Sequence, residues 1–222
     1  MIILHHLSDS RSQRVLWLLE ELGMDYEVRR HERDPKTNLA PESLKAVHPL
    51  GKSPVIEDAG TVIAESGAIV DYLARKDKER RLIVEEGDEG FLDWTFWMHY
   101  AEGSLMPPLV MRLVFEKVKT GPMPFFVRPI AKEIVKKTHK MFLGPLIKSH
   151  LSYVDDHLSR NQWFVGNHLS AADIQMSFPL EAAVAAGVTG TDYPNINRYV
   201  AEYQQRPAYQ KALEAGGPYA YA

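Results

Sequence analysis

Hydroxyl side chains crowd one short stretch, Leu7-Ser8-Asp9-Ser10-Arg11-Ser12-Gln13-Arg14, which joins an apolar run to an amphipathic one. Ser10 and Gln13 fit a capping box, in which the hydroxyl accepts a first-turn backbone N–H and the amide reaches back. A helix starting here presents unpaired N–H groups and a partial positive charge, which bind an anion and favour a thiolate. Ser10 is therefore the candidate catalytic residue, although capping alone also accounts for it. Glu65 and Ser66 form a second pair of this kind, with Ser66 placed as the N-cap of a later helix. The chain has no cysteine, so disulfides, thiolate metal sites and a protein thiol nucleophile are excluded. Any sulfur chemistry must use a ligand's sulfur. His5 and His6 point to opposite faces of a strand and have no third ligand at a suitable spacing, so no metal is expected.

The elements that must position these residues follow from periodicity. Met1-Ile2-Ile3-Leu4 has the length and β-branched content of a buried strand, and Val15, Leu18, Leu19 and Leu22 form one helical stripe closed by Gly23. Asp25 to His31 reads as a half-exposed strand, and Asp34-Pro35-Lys36-Thr37-Asn38 breaks the pattern. Pro41 to Lys45 starts a short helix stopped by Pro49 and Gly51, after which Ser53-Pro54 leads into Val55-Ile56. Asp58-Ala59-Gly60 turns that strand back into Thr61 to Ala64, and Ile69, Tyr72 and Leu73 share the core face of the next helix. The order is β-α-β-α-β-β-α over residues 1–77. Residues 78–90 are crowded with charge and serve as a linker. Residues 91–222 read as all helical: Phe91 to Lys119 kinked at Pro107-Pro108, Phe126 to Arg160 with an irregularity at Gly144-Pro145, then helices near Ala171 to Ala186, Pro194 to Gln205 and Pro207 to Ala215. The fold class is an α/β unit followed by an all-α unit.

Across 222 residues, 26 basic and 29 acidic side chains give a formal net charge of −3, so no global field recruits nucleic acid or an acidic membrane. The basic run Lys132 to Lys140 reads as a solvated helix face. The N-terminus lacks the basic and apolar regions of an export signal, and no later segment reaches the roughly 18 apolar residues of a membrane span. The cytoplasm is the expected compartment.

Several segments now carry a resemblance: Ser10-Arg11-Ser12-Gln13-Arg14, His48-Pro49-Leu50-Gly51-Lys52-Ser53-Pro54-Val55, Ala64-Glu65-Ser66-Gly67-Ala68-Ile69 and Val165-Gly166-Asn167-His168-Leu169-Ser170-Ala171-Ala172-Asp173-Ile174. Together they resemble the cytosolic glutathione transferases. Glu102-Gly103-Ser104-Leu105 with Pro107-Pro108, and Met176-Ser177-Phe178-Pro179-Leu180, resemble the theta-like fungal and bacterial branch that includes the yeast Gtt-type enzymes. The resemblance implies a thioredoxin-like domain, a helical-bundle domain and glutathione as co-substrate. A tripeptide can pair its backbone with the extended residue before a cis-proline, so Ser53-Pro54 is expected to be cis, with Ser53 receiving the cysteinyl part. The γ-glutamyl end carries a carboxylate and an amine, which suits Ser66 at a helix N-terminus with Glu65 beside it. Lys52 could meet a ligand carboxylate, and His48 is a further candidate. Ser170 with Asp173 reads as a structural capping box.

Family members hold the glutathione thiolate with a tyrosine, serine or cysteine near the first helix. Ser10 stands four before Arg14, as the serine does in theta-like members, while Ser8 and Ser12 remain open as alternatives. The absent cysteine argues against omega- and beta-like branches, and the Ser-Ser-Cys signature of zeta isomerases is not matched. The activity implied is conjugation of glutathione to small hydrophobic electrophiles, with reduction of organic hydroperoxides as a second activity. A non-catalytic binding or assembly module on the same fold is the alternative. The electrophile pocket is expected between the first-helix loop and Phe96 to Leu113, with His99, Glu102 and Met106 on one helical face. A symmetric homodimer is also implied, and Phe91, Trp94, Phe96, Trp97 and Tyr100 spread around more of their helix than one core stripe needs. Burial of those aromatics within their own bundle is the competing explanation.

Overall fold

β1 (Ile2–Leu7) is buried on both faces, which requires other elements packed above and below its sheet. The computed structural model of the chain, which describes residues 1–34, 37 and 39–222, places β1 parallel to β2 (Tyr26–His31) and antiparallel to β3 (Val55–Asp58). β4 (Thr61–Ala64) pairs antiparallel with β3, giving the order β2-β1-β3-β4. β1 runs past the apolar Met1–Leu4 segment because two buried histidines extend it, each with polar partners. His5 bonds Glu57 at 2.7 Å and His31 at 2.9 Å, and His6 bonds Ser12 Oγ at 2.8 Å. At the β3–β4 turn, Ala59 and Gly60 both take positive φ, as a tight hairpin requires. Of the pattern break expected at Asp34 to Asn38, Pro35, Lys36 and Asn38 lie outside the described residues.

α1 (Ser12–Leu22) packs between the sheet side of the chain and the later helices, contacting α3 (Ser66–Lys76) as well. Its C-terminus closes as its sequence predicts: Gly23 is left-handed, its N–H donates to Glu20 O, and Met24 N–H donates to Leu19 O. The start of α1 differs from expectation. Arg11 is the N-cap, no side chain caps the helix, and both polar atoms of the buried Gln13 amide lack a partner. Ser10 Oγ is engaged by Ser12 instead, so the Ser10–Gln13 capping box does not form. Ser66 likewise is the first residue of α3 rather than its cap, which is Glu65 at φ 70°. The short α2 (Glu42–Val47) lies between β2 and β3.

No helix or strand occupies residues 77–90, yet the segment is tied down. Arg81 bridges Asp77 and the Leu22 carbonyl, and the buried Leu82 accepts Ala171 N–H at 2.7 Å. The two long helices expected after it are each divided. α4 (Phe91–Tyr100) passes through a π-helical turn, Ala101–Leu105, into α5 (Met106–Thr120), and α6 (Arg128–Thr138) passes through another, His139–Leu143, into α7 (Gly144–Arg160). In both cases the wide turn comes just before proline in the next first turn, where the missing N–H breaks the regular ladder. Trp94, Trp97 and Tyr100 are buried inside this bundle, with Trp97 against Phe164 and His157 and Tyr100 Oη 2.6 Å from His150. Those aromatics therefore have an intramolecular home, and of the five only Phe96 is exposed.

α8 (Ala171–Ala185) is the central helix, followed by α9 (Pro194–Gln204) and α10 (Pro207–Gly216). Its capping box does form. The fully buried Asp173 carboxylate accepts Ser170 N–H (2.8 Å), Ser170 Oγ–H (2.9 Å), Phe164 N–H (2.8 Å) and Tyr199 Oη–H (2.9 Å). Burial pushes its carboxyl up to about 6, against the pull of these donors. Because Asp173→Ala leaves buried donors unmatched, it should cost about 3 kcal/mol of stability, against about 1 kcal/mol for Ser170→Ala. Urea-induced unfolding of the two variants measures both.

Candidate active site

Pairing alone gathers the candidate residues at one end of the sheet. His5 lies opposite Val55 and Val55 opposite Ala64, so the loop after β1, the Ser53-Pro54 entry to β3 and the Glu65-Ser66 exit from β4 are neighbours. The Ser53–Pro54 bond is cis, as expected. Ser10, 8 % exposed, has its Oγ 2.8 Å from Ser12 Oγ and 3.4 Å from Ser53 Oγ, and it accepts Ser12 N–H at 3.2 Å. Ser53 in turn donates to the His5 carbonyl at 3.1 Å.

The three hydroxyls near α1 are not equivalent. Ser12 is fully buried and bonded to the Leu7 backbone and His6, whereas Ser8 is exposed and its carbonyl accepts Arg33 Nε–H at 3.2 Å. Ser10 lies between these extremes, at the first turn of α1, where its Oγ accepts Ser12 N–H and its carbonyl accepts Gln13 N–H, and where the partial positive charge of the helix start favours an anion. Asp9, just before it, takes φ 51°, a conformation that side-chain-bearing residues adopt at some energetic cost.

α3 repeats this arrangement. Ser66 is buried, Glu65 is exposed at φ 70°, and no side chain caps the helix. An acid and an uncapped helix start thus stand together, which suits a group bearing both an amine and a carboxylate. Lys52 is exposed in the loop before β3, and His48 is half-buried, its Nδ1 accepting Leu50 N–H at 3.4 Å. Both lie on the same loop as Ser53, though His48 is turned into that loop's own backbone.

The three residues expected on one helical face are separated. His99 is exposed, Met106 is buried, and Glu102 is half-buried on the π turn, which breaks the 3.6-residue spacing. Glu102 is bound to the site from the other side: it accepts Arg11 Nε–H at 2.8 Å and pairs with Arg14. Arg14 is completely buried, also donates to the Gln175 carbonyl, and shares the Phe178 ring with Arg11, at 5.4 and 5.5 Å. Burial, the largest influence on Glu102, raises its carboxyl, but the Arg14 and Arg11 guanidiniums outweigh it and hold the group below the usual range.

Sequence reasoning assigned no role to Arg11 or Arg14, and none to the segment after α10. There Ala220 N–H donates to the Asp9 carboxylate at 2.8 Å, and Tyr219 Oη–H donates to the buried Glu181, which Tyr209 also reaches at 2.8 Å. No periodic signal marks these long-range contacts. Among the described residues, no group of three or more His, Cys, Asp or Glu side chains could hold a metal ion.

Comparison with known proteins assigns this geometry to one family. The description "Glutathione S-transferase, N-terminal domain" matches residues 1–75, and "Glutathione S-transferase, C-terminal domain" matches residues 121–207. The chain is 36 % identical to Glutathione S-transferase 3 of Schizosaccharomyces pombe over 214 residues, covering 96 % of this chain and 87 % of that one. It is 33 % identical to Glutathione S-transferase 1 of Saccharomyces cerevisiae over 222 residues, covering 96 % and 94 %. A solved glutathione S-transferase from Actinobacillus pleuropneumoniae superposes with a TM-score of 0.82 at 33 % identity, covering 99 % of this chain and 94 % of the other.

The Arg14–Glu102 pair sets a stability prediction. Glu102→Ala leaves a buried guanidinium without its carboxylate and should lower stability by about 2 kcal/mol, discounted for the partial exposure of Glu102. A carboxyl depressed in the folded state contributes above its unfolded pKa, so this difference should persist at neutral pH and shrink as pH falls through about 4. Urea unfolding of both proteins from pH 3 to pH 7 checks it.

Proposed function

The chain belongs to the glutathione S-transferase family and is a transferase, and from that premise we propose that Ser10 is the hydroxyl that stabilises the glutathione thiolate. The observation that carries this is the Ser10 hydroxyl at the uncapped mouth of α1, within 3.4 Å of Ser53 beside the cis-proline. A free thiol has a pKa of about 8.5, and each unit of depression is worth about 1.4 kcal/mol, which a hydroxyl donor and the helix N-terminus together can supply.

The remaining contacts divide along the tripeptide. Ser53, before Pro54, pairs with the cysteinyl backbone; Ser66 N–H and Oγ take the γ-glutamyl carboxylate, and Glu65 takes its amine. Lys52 meets a second carboxylate, and His48 plays a lesser part on the same loop. Residues 1–77 form this glutathione half, 78–90 the linker, and 91–222 the half that walls the electrophile. Glu102 acts there by fixing Arg11 and Arg14, and the buried Met106 offers an adaptable apolar surface behind it. His99, exposed, stands at the margin of this wall.

The reaction is attack by the thiolate sulfur on an electrophilic carbon of a small hydrophobic compound. A carbon–sulfur bond forms while the leaving group departs with the bonding pair, or an epoxide oxygen opens and takes up a proton. With an organic hydroperoxide, two glutathione molecules supply the electrons and become the disulfide, and the products are an alcohol and water. The proposed setting is detoxification in the cytoplasm, where the glutathione pool is kept reduced.

We also propose a homodimer. Its support is now the exposed apolar side chains of the divided helices, including Leu92, Phe96, Val114, Val118, Ile130 and Met141, rather than the buried aromatics. Surfaces of this kind are ordinarily covered in soluble proteins, and a two-fold contact is the commonest cover.

Ser10→Ala should lower kcat/KM for conjugation about 30-fold at neutral pH, a loss of the size expected for one hydrogen bond to a charged sulfur, with little change in the KM for glutathione. An unchanged rate, with a panel of halogenated aromatics, epoxides, isothiocyanates and hydroperoxides as substrates, contradicts the assignment. Sedimentation equilibrium at micromolar concentration should return twice the chain mass, and a monomer refutes the dimer.

A further inference from the structure

Behind Ser10 the hydroxyl chain continues into the protein. Ser12 Oγ lies 2.8 Å from Ser10 Oγ and 2.8 Å from His6 Nδ1, and all three side chains are buried. Ser12 Oγ also accepts Leu7 N–H at 3.3 Å and lies 3.2 Å from the Leu7 carbonyl, while Ser10 Oγ accepts Ser12 N–H at 3.2 Å.

Leu7 N–H fills one lone pair of Ser12 Oγ, which leaves one lone pair and one proton for its two 2.8 Å contacts, so two arrangements carry them all. In the first, His6 Nδ1 bears the ring proton and donates to Ser12, Ser12 donates to Ser10, and the Ser10 proton points out of the chain toward Ser53 Oγ, 3.4 Å away, and the cleft beside it, where a sulfur would compete for it. In the second, Nδ1 is bare, every proton points the other way, and Ser10 turns a lone pair to the cleft. An anionic sulfur at the mouth of α1 is attracted by the first and repelled by the second, and aligned hydroxyls strengthen one another.

We propose that His6, as the neutral ring protonated on Nδ1, is a positioning residue that acts through Ser12 to aim the Ser10 hydroxyl proton at the glutathione sulfur. This inference rests on the reading of Ser10 given above. Its setting keeps the ring neutral: burial brings the His6 pKa down to about 4, Arg30 on β2 adds to the depression, and Asp9 in the following loop opposes it. A neutral imidazole leaves the tautomer, rather than a charge, as the variable. The alternation of β1 explains how adjacent histidines serve different ends, since His5 projects to the other face and bonds Glu57 and His31.

The test is the thiol pKa of bound glutathione, read from the ultraviolet absorbance of the thiolate against pH, in the wild type and in His6→Leu, His6→Asn, Ser12→Ala and Ser10→Ala. His6→Leu and Ser12→Ala should raise it by about one unit, equivalent to a tenfold loss of thiolate below the pKa, with the KM for glutathione nearly constant. His6→Asn keeps an N–H donor near the Nδ1 position and should recover most of the loss, which a merely structural role does not predict. Circular dichroism reports folding, and Ser12→Ala carries the test should His6→Leu unfold. If these variants leave the pKa unmoved while Ser10→Ala raises it, the relay is refuted and Ser10 stands. A lowered pKa refutes it in favour of the opposite proton order. An unmoved pKa in all four, Ser10→Ala included, overturns the Ser10 reading itself.

Discussion

A guanidinium with no access to water must be paired, and Arg14 is such a group, fully buried inside α1. Its ion pair with Glu102 joins the first turn of the helix that carries Ser12 to the π turn between α4 and α5, and its bond to the Gln175 carbonyl adds α8. Arg11 reaches the same carboxylate, and both arginines lie against Phe178. The helical part of the chain is therefore set against the mouth of α1 by a contact that is expensive to break, because the charge left behind has nowhere to go. Whatever binds beside Ser10 meets a wall whose distance is set by this pair.

Three helix starts differ in how their donors are met. At α8 the Ser170–Asp173 box satisfies the donors internally, and the carboxylate that does so is sealed from solvent. At α1 and α3 no side chain caps the first turn, and the residue at or just before each cap region, Asp9 and Glu65, holds a positive φ that a side chain disfavours. Most other helices also begin without a cap from their N-cap side chain, so what sets these two starts apart is the positive φ of a non-glycine residue beside each, next to the proposed ligand.

Much of this was legible in advance. The element order, the cis Ser53–Pro54 bond, Gly23 at the end of α1 and the Ser170–Asp173 box follow from residue types whose local preferences agree with their surroundings. The misreadings are instructive. Ser10 and Gln13 have the spacing of a capping box, but the serine hydroxyl was taken by Ser12, a competitor that spacing does not reveal. His99, Glu102 and Met106 share a face only on an unbroken α-helix, and the π turn removed that premise. Glu102 itself is bound by Arg11 and Arg14, which precede it by most of the first half of the chain. His6 carries no signal in a strand beyond its alternation, and its partner Ser12 becomes visible only when the loop folds back. Contacts of this kind depend on topology, so periodicity can place the elements that bear them and still miss the pair.

The central claim is that the mouth of α1 takes glutathione as the thiolate, with its proton displaced. Counting protons tests this most directly. Calorimetric titration of the protein with glutathione at pH 7, repeated in buffers of different ionisation heat, gives the number released on binding. A thiol with a free pKa of about 8.5 is almost wholly protonated at that pH, so the account predicts a release approaching one proton per bound glutathione. Binding without proton release would contradict it.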